Sequence, residues 1–401
     1  MIKRTLQELC LNITDGKHGD CENEENSGYY FISCKDIFDG QINYKNARQI
    51  TKADFEETHK RTMLEVDDIL LTNSGTIGRM AFVTDREATT KTTFQKSVAI
   101  IKPDKQKVLP RYLYYQLQNC VPQFINSSNG SAQKNLLLST MRTFQIEIEE
   151  NREKQEKIAN TLSAYDDLIE NNQKQIKLLE EAAQRLYKEW FVDLRFPGHE
   201  NTKIVDGVPE GWSKSTVSEV SAVLRRGISP KYNEKAKGMV INQKCIRQTI
   251  VSYDEARTQE KKYPTELEMM ESDILICSTG AGTLGRVGQI FEAKENVTLD
   301  SHVTLIRANE RVGQQYLFWS LKMQQDYLMS AGKGSTNQLE LSRETIGNCK
   351  ILMPEQKIAE QAEKNFVAIH NKMKECSMQI ARLREARDLL LPKLMSGEVG
   401  V

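Results

Sequence analysis

Residues 150–192 read ENREKQEKIANTLSAYDDLIENNQKQIKLLEEAAQRLYKEWFV, without a glycine or proline. Apolar residues recur at Ile158, Leu162, Tyr165, Ile169, Ile176, Leu179, Ala183, Leu186 and Trp190, in alternating steps of four and three. Only Asn172 interrupts the row. This is a heptad seam, and the spacing predicts a long helix in a coiled coil. At ~1.5 Å per residue such a helix runs about 60 Å, more than one compact core needs. Residues 355–396 repeat the pattern, with Ala362, Phe366, Ile369, Met373, Cys376, Ile380, Leu383, Arg387, Leu390 and Leu394 in the seam. A shift of 204 residues lays Ile158 on Ala362, Tyr165 on Ile369, Asn172 on Cys376 and Leu179 on Leu383. The chain therefore reads as a duplication in which each half ends in a strut. Each narrow stripe needs a partner, and the nearest is the other strut. A polar Asn172 in a seam costs stability and fixes register. The alternative, that each helix caps its own domain, calls for a broader apolar face.

Working outward, five segments emerge: 1–149 and 213–353 as globules, 150–192 and 354–397 as helical spacers, and 193–212 as a linker. The linker, DLRFPGHENTKIVDGVPEGW, is rich in glycine and proline and poor in apolar residues. The globules carry short strands between turns, with helices few and late. In the first, 29–33, 68–72, 79–83, 97–102 and 144–148 read as strands and 112–117 as a helix. In the second, 239–242, 273–277, 286–291, 303–306 and 349–353 follow as strands, with 316–321 matching the helix. The best-matched piece is DILLTNSGTIGR at 68–79 against DILICSTGAGTLGR at 273–286. A second matched loop pairs 129–135 with 333–338. Elsewhere the halves diverge, which suits two modules of one kind with different targets.

Composition bounds the function. The chain has 401 residues, 27 % of them charged, and equal numbers of acidic and basic residues. That balance disfavours a sequence-blind polyanion binder but allows basic residues to gather on one face. No apolar run is long enough to span a membrane, and the first residues lack a secretory apolar core. Eight scattered cysteines without C-x-x-C pairs read as free thiols of a cytoplasmic protein.

Chemistry-bearing motifs are scarce. Gly280–Gly285 is formally G-x-G-x-x-G, but a strand-like segment follows where a dinucleotide site needs a helix. A tight hairpin with exposed N–H groups, flanked by Arg79 or Arg286, fits better. The histidines (His18, His59, His199, His302, His370) form no ligand pair, so no metal is expected. No ATP loop and no amino-methyltransferase motif is present. What remains is a set of polar and basic residues in turns. The first half offers Lys17, His18, Lys35, Asn73, Ser74, Thr76, Arg79, Lys91 and Lys134. The second offers Arg225, Arg226, Lys231, Lys244, Ser278, Thr279, Arg286 and Lys333. Arginine and lysine suit phosphates and guanine edges, and the set recurs on either side of a rigid spacer, so DNA binding is favoured. A protein-binding coiled-coil adaptor is the alternative, and a stand-alone nuclease or methyltransferase a third.

In order and doubling of these pieces, the chain resembles the specificity subunits of Type I restriction–modification systems. The resemblance spans nearly the whole chain. It rests on the doubled DIL…GTxGR piece, the GS-containing loops, and the strut openings Glu153–Ala159 (EKQEKIA) and Pro354–Ala359 (PEQKIA). The passage ending Pro209-Glu-Gly-Trp212 adds to it. The resemblance implies an α+β protein: two α/β target-recognition domains, two long helices forming an antiparallel coiled coil, and an internal pseudo-two-fold repeat. It further implies that each domain reads half of a bipartite site in double-stranded DNA. The helices would set the spacer and carry two modification subunits, which bring S-adenosylmethionine and methylate adenine N6. Restriction subunits would add ATP- and Mg-dependent translocation and cleavage. The chain itself would hold no active site and no cofactor.

Overall fold

The computed structural model describes residues 1–84, 87–128, 135–280, 282–334 and 339–400. The duplication is written into the sheet topology. In the first half a four-stranded antiparallel sheet has the order Cys10–Asp15, Val98–Pro103, Ile69–Thr72, Met80–Phe82. In the second the order is Ser221–Arg226, Val303–Ala308, Ile274–Cys277, Val287–Gln289. The same rung closes both, Val98 opposite Thr72 and Val303 opposite Cys277. Beside each lies a three-stranded sheet whose middle strand, Tyr30–Ile32 or Gly238–Ile241, pairs parallel with Thr92–Phe94 or Val297–Leu299. Both DIL segments become strands buried on two faces, which their unbroken apolar runs allow.

The Asp that opens each DIL segment is structural. Asp68 accepts the Glu65 N–H at 2.8 Å and Lys102 Nζ at 2.7 Å. Asp273 accepts the Met270 N–H at 2.7 Å and Arg307 Nε at 2.6 Å. Burial raises both carboxyl pKa values, and the ion pair and backbone donor oppose that rise.

The long helices span Arg152–Tyr187 and Gln356–Ser396, and a wider π turn, Lys188–Val192, closes the first. The chain divides into two compact units, Met1–Ile169 with Arg382–Val401, and Glu170–Ala381. In the first unit Ile158, Ala159 and Leu162 share a core with Leu394 and Met395, and Arg387 Nη1 meets Asp166 Oδ1 at 2.6 Å. In the second unit Ala183 shares a core with Ala362 and Phe366, and Cys376 Sγ donates to Gln175 Oε1 at 3.7 Å. Within each unit the two helices thus run antiparallel. All twelve inner seam positions, Leu162 to Leu179 and Phe366 to Leu383, are buried or half-buried, Asn172 among the buried ones. Each core is built from the start of one long helix and the end of the other.

Three expectations need correction. Arg225 and Arg226 lie in an edge strand, Ser221–Arg226, rather than a turn, because an edge strand tolerates charge on its open side. The first half holds an early helix, Lys52–Thr62, capped by the Thr51 hydroxyl, with no counterpart among the described residues of the second. The 193–212 segment is no loose tether. Phe196 and Trp212 are buried in the second unit's core with ring centroids 4.5 Å apart, and Ile204–Val205 pairs with Val208–Pro209. Two aromatics outweigh a glycine-rich composition.

Candidate nucleic-acid interface

One end of each four-stranded sheet gathers most of the polar residues that the sequence singles out. In the first half three loops converge there: the exit from Cys10–Asp15, the 3-10 turn Cys34–Asp36, and the hairpin 73–79. Gly16 makes the convergence possible, since a Cβ there would lie 1.9 Å from the Phe94 carbonyl oxygen. Gly227 occupies the same place in the second half, 2.1 Å from the Leu299 carbonyl oxygen. No side chain fits either position. The hairpin packs on the 3-10 turn in both copies. A Cβ on Gly75 would stand 3.1 Å from Cys34 Sγ, and one on Gly280 would stand 3.5 Å from Gln243 Nε2. Gly282–Gly285 leads into the strand Val287–Gln289, which pairs antiparallel with Ile274–Cys277, so the two strands form a hairpin. It lacks the helix that a dinucleotide needs.

This rim presents matched cations. Lys35 and Lys244 sit on the equivalent 3-10 turns, and Arg79 and Arg286 close the equivalent hairpins. Among the described residues no carboxylate pairs with any of the four. The Arg286 guanidinium donates to the Gly282 carbonyl at 2.6 Å. Exposed Lys333 and Thr76 and half-buried Ser74 complete the set.

Other candidates are engaged elsewhere. Lys17 pairs with Asp54 at 3.0 Å and Glu57 at 3.2 Å, which raises its pKa. Arg225 pairs with Glu266, Lys231 with Glu260, and Arg226 with Glu340. Arg226 also donates to the Leu341 carbonyl at 2.7 Å. Asn73 and Ser278 are buried at the strand ends, where the Ser278 hydroxyl meets Thr304 Oγ1 at 2.6 Å. They hold the loop rather than project from it. Lys91 is exposed but sits at the start of Thr92–Phe94, the far end of that strand from the rim. Lys134 lies outside the described residues.

Two rim imidazoles stand out. His18 is exposed, with Nε2 3.0 Å from Asp15 Oδ2, and Asp15 also takes Arg61. His302, which motif reading passed over, is exposed with Nδ1 2.5 Å from Thr279 Oγ1. Its signal is positional: it directly precedes the Val303 strand, where the first half has Ser97. Reactive chemistry is poorly served here. Burial pushes the Cys245 thiol up to about 11 and the Cys277 thiol up to about 12, so both stay protonated. Among the described residues no group of three His, Cys, Asp or Glu side chains can hold a metal. Nor is any helix among them long and apolar enough to cross a membrane. The rim can grip phosphates and offer hydrogen-bonding edges to bases.

Comparison with known proteins supports the same direction. The family model described as the Type I restriction modification DNA specificity domain matches twice, at residues 3–181 and 209–374. The MjaIX Type I restriction enzyme specificity subunit of Methanocaldococcus jannaschii is 27% identical over 390 residues, covering 92% of this chain and 87% of the relative. The HindI specificity subunit of Haemophilus influenzae is 24% identical over 376 residues, covering 75% and 80%. In fold, the chain is similar to the crystal structure of the Type I restriction–modification system S subunit from M. genitalium. The TM-score is 0.56 at 18% identity, over 98% of this chain and 95% of that one.

Proposed function

The chain belongs to the Type I restriction modification DNA specificity family, and from that membership we propose that it selects the DNA target of a restriction–modification complex without catalysing a reaction itself. Each half reads one part of a bipartite site, and the long helices set the unread spacer between the parts. The observation that carries this reading is the rim made twice in one chain. Its frame and cations match, Lys35 with Lys244 and Arg79 with Arg286, while the loops around them differ. Matched cations suit the DNA backbone, which is the same at every site, and divergent loops suit two different base sequences. Two modification subunits dock on the helices and supply S-adenosylmethionine chemistry. Restriction subunits add the ATP- and Mg-dependent steps.

The test is to express the chain with its modification subunits and map methylated adenines by long-read sequencing. A split motif with a fixed gap is expected. Methylation without a split motif, or a complex that binds random duplexes as well as any other, sinks the proposal.

A further inference from the structure

The two rims share their cations but place their imidazoles differently. In the first half the loop carrying His18 lies against the turn after Thr92–Phe94. Lys17 bridges Gln95, and the Lys96 N–H donates to the Lys17 carbonyl at 3.1 Å. In the second half the same bridge joins Ile228 to Asp300. There the loop contributes Ser229 where the first half has His18, and the turn contributes His302 where the first half has Ser97. An imidazole therefore reaches the same corner of both rims, once from the loop and once from the opposing turn. Both rings are exposed, and each is tied at one nitrogen. The His302 backbone is held as well, its N–H donating to buried Asp300 Oδ1 at 2.9 Å.

We propose that His18 and His302 each select a base in the half-site read by their own half of the chain. This rests on the DNA-reading function above. A ring fixed at one nitrogen presents the other in a set direction, which is what discrimination between base edges requires. The Asp15 carboxylate only accepts, so the neutral His18 ring carries its proton on Nε2 and offers Nδ1 as an acceptor. That pattern matches the exocyclic amine of adenine or cytosine. His302 offers Nε2. Thr279 sets that ring's orientation and is a positioning residue. The matched cations alongside grip phosphate and are blind to sequence.

The experiment uses the chain assembled with its modification subunits. Methylation motifs are mapped in cells for His18→Ala, His302→Ala, Thr279→Val and, as a control outside the rim, Lys235→Ala. Purified complexes are then bound to duplexes carrying each base at each position of the site, which reads preference even if methylation falls. His18→Ala should relax one position in one half by about tenfold, and His302→Ala one position in the other. Thr279→Val should relax the His302 position, and Lys235→Ala should change neither half. Unchanged preference in both histidine variants, or relaxation of both halves by either one, overturns the proposal. If the unaltered complex shows no split motif, the function above has failed, and the assignment of the histidines falls with it for that separate reason.

Discussion

Asp166 and His370 occupy one position of the repeat, yet the two copies use it in opposite ways. Asp166 accepts the Tyr115 hydroxyl at 2.6 Å and Arg387 Nη1 at 2.6 Å. A shift of 204 residues puts His370 in place of Asp166 and Ala183 in place of Arg387. His370 is 4 % exposed; Nδ1 meets Gln289 Oε1 at 3.1 Å, and its ring lies 4.3 Å from Phe291. Burial holds its pKa down to about 4, with Lys374 adding to the drop and Glu271 opposing it. A lowered base pKa means the fold favours the neutral ring. The resulting stability is complete above the unfolded value of about 6.5 and drains away as pH falls toward 4. Thermal melts should show a loss on the order of 3 kcal/mol across that window, and His370→Gln should flatten it. A pH-independent melt in the parent protein would refute this. In the other copy, Asp166→Ala strands a phenol and a half-buried guanidinium and should cost about 2 kcal/mol in denaturant unfolding. Asp166→Asn, which keeps an acceptor, should cost less than half of that.

At the scale of elements, each long helix serves as a docking post for a globule, through contacts that the sequence pattern only partly shows. Glu363 reaches from the second long helix to the start of the helix Gln314–Met323, accepting the Gln315 N–H at 3.1 Å and the Tyr316 N–H at 2.8 Å. Gly313 leaves room for that carboxylate: a Cβ there would sit 2.1 Å from Glu363 Oε2 and displace the side chain. Removing that carboxylate orphans two helix-terminal donors, so Glu363→Ala should destabilise by about 1–2 kcal/mol, with Glu363→Gln recovering most of it. Equal melting of the two variants would mean the bonds contribute nothing. The heptads were legible because a helix seam is a one-dimensional pattern, and the DIL strands because both faces are apolar. Cys10–Asp15 (CLNITD) was not legible, since an edge strand with mixed polarity carries neither signature. The rim was half legible. Arg79 and Arg286 lie inside a repeated motif, whereas the His302 ring is tied to Thr279, 23 residues away. The ion pairs of Lys17, Arg225 and Lys231 span 29 to 41 residues and leave no local mark.

For the whole molecule, reading two half-sites at a set distance requires stiffness, and the heptads provide a way to change that distance without touching either reader. Inserting one heptad into each long helix at matched positions keeps the seam in phase and adds about 10 Å of helix. On the proposed function the methylated motif should keep both half-sites and lengthen its gap by about three base pairs, given ~3.4 Å per step. Altered half-site sequences would show that the helices take part in reading. The charge balance leads to a second expectation. With 55 acidic against 55 basic residues, affinity must come from a few placed cations rather than from a general field. Binding by the chain alone should therefore be weak and fall steeply with salt. In the assembled complex, replacing Lys244 and Arg286 with alanine should lower the log–log salt slope by about two while the methylated motif stays the same. A slope that does not move would place the phosphate contacts elsewhere. A motif altered in one half would make these cations base readers, and would remove the division between matched grip and divergent reading on which the proposed function rests.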